Sequence, residues 1–261
     1  MTDDVVDYTK LLRLDGKGFV VLGAGNGIGV ATSRALASAG ATVFCVDIDR
    51  ERAETIAKEV GGFAGVGDLT RSADADRLFA EAEEKLGHVD GLADIIGIAG
   101  YKRIGEFDDA DYDWQDSMVA RQAFFAVQAA TPYLEKAGGG SMVFIASTSG
   151  LSSAPNQLLY GMSKAAVMSL VRTAAVELGP KGIRVNAVSP GATKTPRISA
   201  YTDVIEENIR RTPLRKVGEV SDIASAILFL SSPLAGHVSG QNLVVDGGIT
   251  QISAVPGPGE V

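Results

Sequence analysis

Tyr160-Gly-Met-Ser-Lys164 sets a phenol and an ammonium four residues apart, neighbours on one face if the segment is helical. An unperturbed tyrosine titrates near pH 10, too high for a useful base at neutral pH, to within about a unit. A cation held close favours the phenolate, so the pair has the makings of an acid–base catalyst. Ser147 follows the apolar run Met142 to Ala146, thirteen residues before Tyr160, where its hydroxyl can hold a carbonyl or alkoxide oxygen. Taken alone, a Tyr–Lys pair of this spacing is more often plain surface than chemistry. A second feature changes the balance.

That feature is Gly23-Ala-Gly-Asn-Gly-Ile-Gly29, which runs straight into an apolar helical stretch. Glycines let the backbone turn tightly and approach a pyrophosphate, and a helix N-terminus offers free N–H groups and a positive dipole end. Such a loop by itself is also compatible with a flexible turn, but a strand before it and a helix after it supply the context that dinucleotide binding needs. Asp47 ends the second strand, where a carboxylate can accept hydrogen bonds from the adenosine ribose of NAD and repel a 2′-phosphate. Asp49 adds to that repulsion, whereas Arg50 and Arg52 are groups that could hold the phosphate of NADP. Asp47 can cap the following helix as well, and the two roles are compatible.

The elements that must position these groups alternate along the chain. Residues 19–22, 42–46, 63–66, 91–98, 141–145, 183–188 and 242–245 read as strands, and 28–39, 50–60, 72–86, 109–136, 157–179 and 219–231 as helices. Apolar strands without polar alternation, separated by helices, predict a parallel sheet covered on both faces. The expected fold is α/β: a single Rossmann-type doubly wound parallel sheet of about seven strands with helices on both faces. No linker or repeat interrupts the pattern, so residues 1–261 are expected to form one domain, with 1–12 and 253–261 as terminal extensions. Composition agrees: 46% of residues are hydrophobic and 31 are glycine. Against 32 Asp and Glu stand 24 Lys and Arg, a formal charge of −8 that makes nucleic acid or an anionic membrane a poor partner. Cys45, the only cysteine, lies in an apolar run and reads as core. The acidic N-terminus lacks a secretory pattern and no run is long and apolar enough to span a bilayer, so the expectation is a cytoplasmic protein. His88 and His237 have no companion ligands, and no metal is expected.

Taken together, these segments resemble the short-chain dehydrogenase/reductase family from about Leu14 to Ile249. Leu14-Asp-Gly-Lys17, the Gly-x-x-x-Gly-x-Gly loop of Gly23, Gly27 and Gly29, Asp68-Leu-Thr70, the Ser147/Tyr160/Lys164 triad, Asn186-Ala-Val-Ser-Pro-Gly191 and Gly240-Gln-Asn-Leu-Val-Val-Asp-Gly-Gly248 carry the likeness. The resemblance implies interconversion of a secondary alcohol and a ketone with NAD(H). Tyr160 would exchange a proton with the substrate oxygen, Ser147 would hold that oxygen, and Lys164 would lower the tyrosine pKa and bind the nicotinamide ribose. It also implies cofactor contacts at Gly23, Asn26, Gly27, Ile28, Gly29, Asp47, Asp68, Leu69, Ala99, Gly100, Tyr160, Lys164, Pro190, Gly191, Thr193 and Thr195. A homotetramer is implied too, with helices 109–136 and 157–179 at an interface where Ala165, Ala166, Ala174 and Ala175 permit close contact.

The family pattern's asparagines are missing at two places. Gly97-Ile-Ala-Gly100 stands in place of Asn-Asn-Ala-Gly, and Val119 takes the position of the family's catalytic Asn, with Arg121 or Gln122 as substitutes under another register. An enzyme with a rerouted proton relay is favoured over one with impaired catalysis. The rival from another class is a non-catalytic NAD(H)-binding sensor or scaffold. An enoyl reductase is disfavoured, since the resemblance would then imply a wider Tyr–Lys spacing, and an epimerase would carry a larger C-terminal domain. Substrate contacts are expected between Thr195 and Thr212, with Tyr101, Ser149, Leu151, Asn156, Ile198 and Tyr201 as pocket walls. Their neutral character suggests an alicyclic or steroid-like alcohol. Lys102, Arg103 and Arg197 either meet a carboxylate or CoA phosphate or are solvated surface, and Tyr112 and Trp114 read as packing residues.

Overall fold

A computed structural model describes residues 6–200 and 202–252; Tyr201 and most of the expected terminal extensions, residues 1–5 and 253–261, lie outside the described residues. Seven parallel strands form one sheet in the order β3-β2-β1-β4-β5-β6-β9. They are β1 (Gly18–Leu22), β2 (Thr42–Asp47), β3 (Phe63–Val66), β4 (Gly91–Asp94), β5 (Gly140–Ile145), β6 (Ile183–Pro190) and β9 (Asn242–Val245). A separate two-residue pair, β7 (Thr193–Lys194) with β8 (Gly218–Glu219), clips the chain after β6. The helices are α1 (Ile28–Ser38), α2 (Arg50–Val60), α3 (Ser72–Leu86), α4 (Asp109–Asp116), α5 (Gln122–Lys136), α6 (Leu158–Leu178), α7 (Thr202–Arg211) and α8 (Val220–Ser231).

Successive side chains of a strand point to opposite faces, and here both faces are dry. Val20, Leu22, Leu92, Met142 and Phe144 pack with Phe79, Ala126, Val167 and Val171 on one side. Phe19, Val21, Ala93, Val143 and Ile145 pack with Leu36, Ile56, Ile223 and Ile227 on the other. This explains the lack of polar alternation in the strands. Phe144 is wholly buried in central β5. Truncating it should leave a cavity that costs about 3–5 kcal/mol. A Phe144→Ala variant is expected to show that loss as a lowered urea midpoint at unchanged slope.

Three expectations need correction. The strand expected over 91–98 ends at Asp94. Its partner β1 stops at Leu22, whose carbonyl accepts from Ile95, and the Asp94 carboxylate then accepts from Ile96 N at 3.0 Å and turns the chain away. The helix expected over 109–136 is divided by a π turn at Ser117–Arg121, a wider coil that re-aims the side chains after it. Tyr112 and Trp114, read as packing residues, are 51% and 44% exposed, on a helix whose main neighbour is α6. Cys45 is fully buried, and burial pushes its thiol up to about 11, as core requires.

Candidate active site

In an open parallel sheet, ligands bind at the carboxyl ends of the strands, where the strand order reverses. Here that place lies between β1 and β4, and the motifs converge on it. The loop after β1 is fixed by Gly23 N and Ala24 N, which donate to Val46 O at 2.9 and 2.8 Å. Gly23 and Gly27 take positive φ values of 76° and 51°. A Cβ on Gly29 would stand 1.9 Å from the carbonyl oxygen of Gly23, so only glycine lets α1 begin this close to the strand. Gly27 heads α1 with no side-chain cap, and Asn26 beside it is exposed. Ile28 is part-buried in the first turn.

Asp47 is 9% exposed, and its carboxylate accepts from Gly25 N and Asp49 N, each at 3.0 Å. It therefore holds the glycine loop as well as standing at the end of β2. Asp68 spends one carboxylate oxygen on Thr70, accepting from its N and Oγ1 at 3.0 and 2.7 Å, and Leu69 is buried behind it. Thr195 packs against Gly27, while the Thr193 hydroxyl donates to Gly191 O at 3.1 Å and Pro190 is buried at the end of β6. Between the glycine loop and β4 it is Ile95 and Ile96 that approach Gly23. Ala99 and Gly100 face other partners: Ala99 O accepts from Arg197 Nη2 at 2.9 Å, and Gly100 N donates to Gln115 Oε1 at 2.8 Å.

Ser147, Tyr160 and Lys164 come together at the end of β5. Ser147 is nearly buried, and its Oγ accepts from Ser149 N at 3.1 Å. The Ser147 hydroxyl beside Tyr160 Oη lowers its pKa, as does the charge of Arg197. Burial outweighs both and pushes Tyr160 up to about 12, against the lowering expected from its lysine neighbour. The reason is where Lys164 points. Its Nζ lies 5.8 Å from the centroid of the Tyr160 ring and donates to Ile145 O at 2.6 Å. Lys164 is 1% exposed, and burial pulls its ammonium down to about 8.

Val119 is completely buried in the π turn and stands close to Gly97, where a Cβ would lie 2.7 Å from Lys164 Nζ. Val119, at the position expected for the Asn, and Lys164 thus both border Gly97. Arg121 instead pairs with Asp116 at 3.2 Å on the surface. Gln122 is buried and donates to Asp94 Oδ2 at 3.0 Å. Neither Asp94 nor Gly97 was read as part of the site, although a carboxylate closing an apolar strand is a legible signal.

Around the mouth, Tyr101 and Arg197 both act on Tyr160, whereas Lys102 is taken by Asp111 at 2.5 Å. Lys102 N donates to Asn156 O at 3.2 Å, joining two loops, and Ser149 Oγ donates to Gln157 Oε1 at 2.6 Å. Leu151 is half exposed and Ile198 part-buried. The stretch from Thr195 to Thr212, where substrate contacts are expected, contains helix α7. Among the described residues no helix is long and apolar enough to cross a membrane.

Residues 23–250 match the family model described as "Enoyl-(Acyl carrier protein) reductase". The 7alpha-hydroxysteroid dehydrogenase of Escherichia coli is 40% identical over 247 residues, 92% of this chain and 96% of the relative. A 3-oxoacyl-[acyl-carrier-protein] reductase of Thermotoga maritima is 34% identical, over 91% and 99%. A solved 7 alpha-hydroxysteroid dehydrogenase complexed with NADH and 7-oxo glycochenodeoxycholic acid superposes with a TM-score of 0.89 at 37% identity, covering 94% of this chain and 98% of that one. A gluconate 5-dehydrogenase from Burkholderia cenocepacia in complex with NADP and tartrate gives 0.89 at 29% identity, over 95% and 100%. The chain belongs to the short-chain dehydrogenase/reductase family. It is an oxidoreductase of the alcohol dehydrogenase/ketone reductase kind.

Proposed function

We propose that the protein oxidises a secondary hydroxyl on a steroid or similar alicyclic skeleton with NAD, or reduces the matching ketone with NADH. The observation that carries this reading is the meeting of Ser147, Tyr160 and Lys164 beside a glycine loop and Asp47. The likeness to 7alpha-hydroxysteroid dehydrogenases supports the substrate class. The non-catalytic sensor or scaffold has no support among these relatives.

A dinucleotide fits the residues present. Gly25 and Gly29 let the loop close against Asp47 and Gly23, where a Cβ would collide, the N-terminus of α1 carries no side-chain cap, and Asp47 stands at the strand end. When bound, the nicotinamide would supply or accept the hydride. The chain's own part is the proton: Ser147 holds the substrate oxygen and Tyr160 Oη gives or takes its proton. Lys164, Thr193 and Thr195 would hold the nicotinamide end, with Pro190 and Gly191 below it, and Asp68 and Leu69 the adenine. On the β4 side, Ile95, Ile96 and Gly97 join Ala99 and Gly100 as candidate contacts because they border Gly23 and Lys164. We treat the chain as one catalytic domain of a cytoplasmic homotetramer. Phe124 and Val176, 47% and 77% exposed on α5 and α6, suit an interface there.

NADH and NADPH titrations followed by a panel of hydroxysteroids and cyclic alcohols test the reading. Tight NADH binding with turnover supports it; no turnover over the whole panel would reject it. Asp47 makes the cofactor choice. Loss of a charged hydrogen-bonding group costs roughly 1.5–3 kcal/mol, so Asp47→Ala should weaken NADH binding about 10- to 100-fold. The same variant should narrow the gap to NADPH, which fluorescence titration measures.

A further inference from the structure

A second buried charge lies on the strand beside the one that holds Lys164, and proton exchange at Tyr160 does not consume it. Asp94 closes β4, in register with Phe144 of β5, and Lys164 donates to the carbonyl of the next β5 residue, Ile145. The carboxylate is 2% exposed. Oδ1 accepts from Ile96 N and Oδ2 from Gln122 Nε2, both at 3.0 Å. Gln122 Nε2 also reaches Val119 O in the π turn at 3.2 Å, while its Oε1 has no protein partner. The π turn is what brings this amide inward at the head of α5.

Burying a carboxylate without a cation in direct contact is costly, and an isosteric amide would avoid that cost. Here a use for the charge is visible. Burial drives Lys164 towards its neutral form, and the charge acting in the opposite direction is that of Asp94. Burial also raises Asp94, to about 6, with Gln122 and Ile96 opposing, so it remains largely ionised at pH 7 and above. The other titratable groups near this floor face Tyr160: Tyr101 from the loop after β4 and Arg197 from the segment after β7. Val119, which like Lys164 borders Gly97, is apolar and offers no polar substitute.

We propose that Asp94, held by Gln122, is a positioning residue that keeps Lys164 an ammonium in the buried floor of the site. The consequence for turnover rests on the dehydrogenase reading; the charge coupling does not. Full-length protein labelled with [13Cε]lysine, the Lys164 signal assigned by its loss in Lys164→Met, reads the coupling without substrate or cofactor. Asp94→Asn keeps the acceptor for Ile96, and Gln122 can turn its amide to accept from the new NH2. Its Lys164 midpoint should fall by at least about one pH unit from the wild-type value, the size of effect a near charge exerts. An unchanged midpoint overturns the proposal. Should Asp94→Asn not fold, Gln122→Met removes the hydrogen bond that favours the ionised carboxylate, and it should also lower the midpoint; wild-type behaviour again overturns it. With an alcohol that the wild type oxidises, Asp94→Asn should lose activity at lower pH on the alkaline side. An equal loss at every pH marks a merely structural role and refutes the assignment. If no alcohol is turned over, the dehydrogenase reading fails, while the titration still decides the coupling.

Discussion

Replacing Tyr160 by Phe is expected to cut alcohol oxidation and ketone reduction by about 10²- to 10⁴-fold, the range supplied by a positioned general acid or base. The variant removes one oxygen and keeps the ring that packs at the edge of the core formed by Val167 and Val171. NADH affinity and thermal midpoint should therefore stay close to wild type, and steady-state rates beside a fluorescence titration and a melt check all three. Full activity in the variant would sink the assignment of Tyr160. The direction of the pH dependence follows from burial. With the phenol at about 12, the proton is on Tyr160 at neutral pH, the form that ketone reduction needs. Oxidation needs the phenolate, whose fraction grows tenfold per pH unit below the pKa. Oxidation should therefore gain on reduction as pH rises from 6 towards 8, above which Lys164 begins to lose its charge. Initial rates in both directions across that window measure it.

A methyl group at Gly29 should damage both stability and cofactor binding. The added Cβ would lie 1.9 Å from Gly23 O and 3.0 Å from Ala24 Cα, all backbone, so no side chain can yield. Relief requires α1 to move off β1, opening the loop. Forcing extra volume into a packed site typically costs about 1–3 kcal/mol, and this contact lies at the severe end of such cases. For a chain of this size that corresponds to a melting midpoint lower by roughly 2–4 °C per kcal/mol. Gly29→Ala should lose NADH affinity at least about tenfold in the same preparation. Gly105→Ala, where nothing lies within 4 Å of the new Cβ, is the control and should melt and bind as wild type does. Equal NADH affinity in Gly29→Ala and wild type would mean that the loop does not cradle the cofactor.

What the sequence determined by itself is what rests on local periodicity and spacing. The apolar strands and the helices between them predicted a parallel doubly wound sheet, because a strand buried on both faces has no polar alternation to show. Ser147, Tyr160 and Lys164 were legible as a set since two of them share one helix face and the third closes a strand. The glycines of residues 23–29 carried their meaning through positive φ angles that glycine adopts most readily and, at Gly29, through a contact that leaves no room for a Cβ. Tertiary structure decided matters that depend on which distant segments meet. Strand β4 stops at Asp94 because β1 stops at Leu22, a fact of pairing that residues 91–98 do not contain. The π turn arises in a stretch that reads as continuous helix, and it aims Gln122 inward while leaving Arg121 outside. Trp114 and Tyr112 have side chains suited to a core, yet α4 packs on α6 and leaves them half exposed. Lys164 was expected to serve Tyr160 directly, but its ammonium donates to Ile145 O, and the charge that opposes its loss by burial is that of Asp94. Burial and through-space charge are sums over residues far apart in the chain, and no local pattern encodes them.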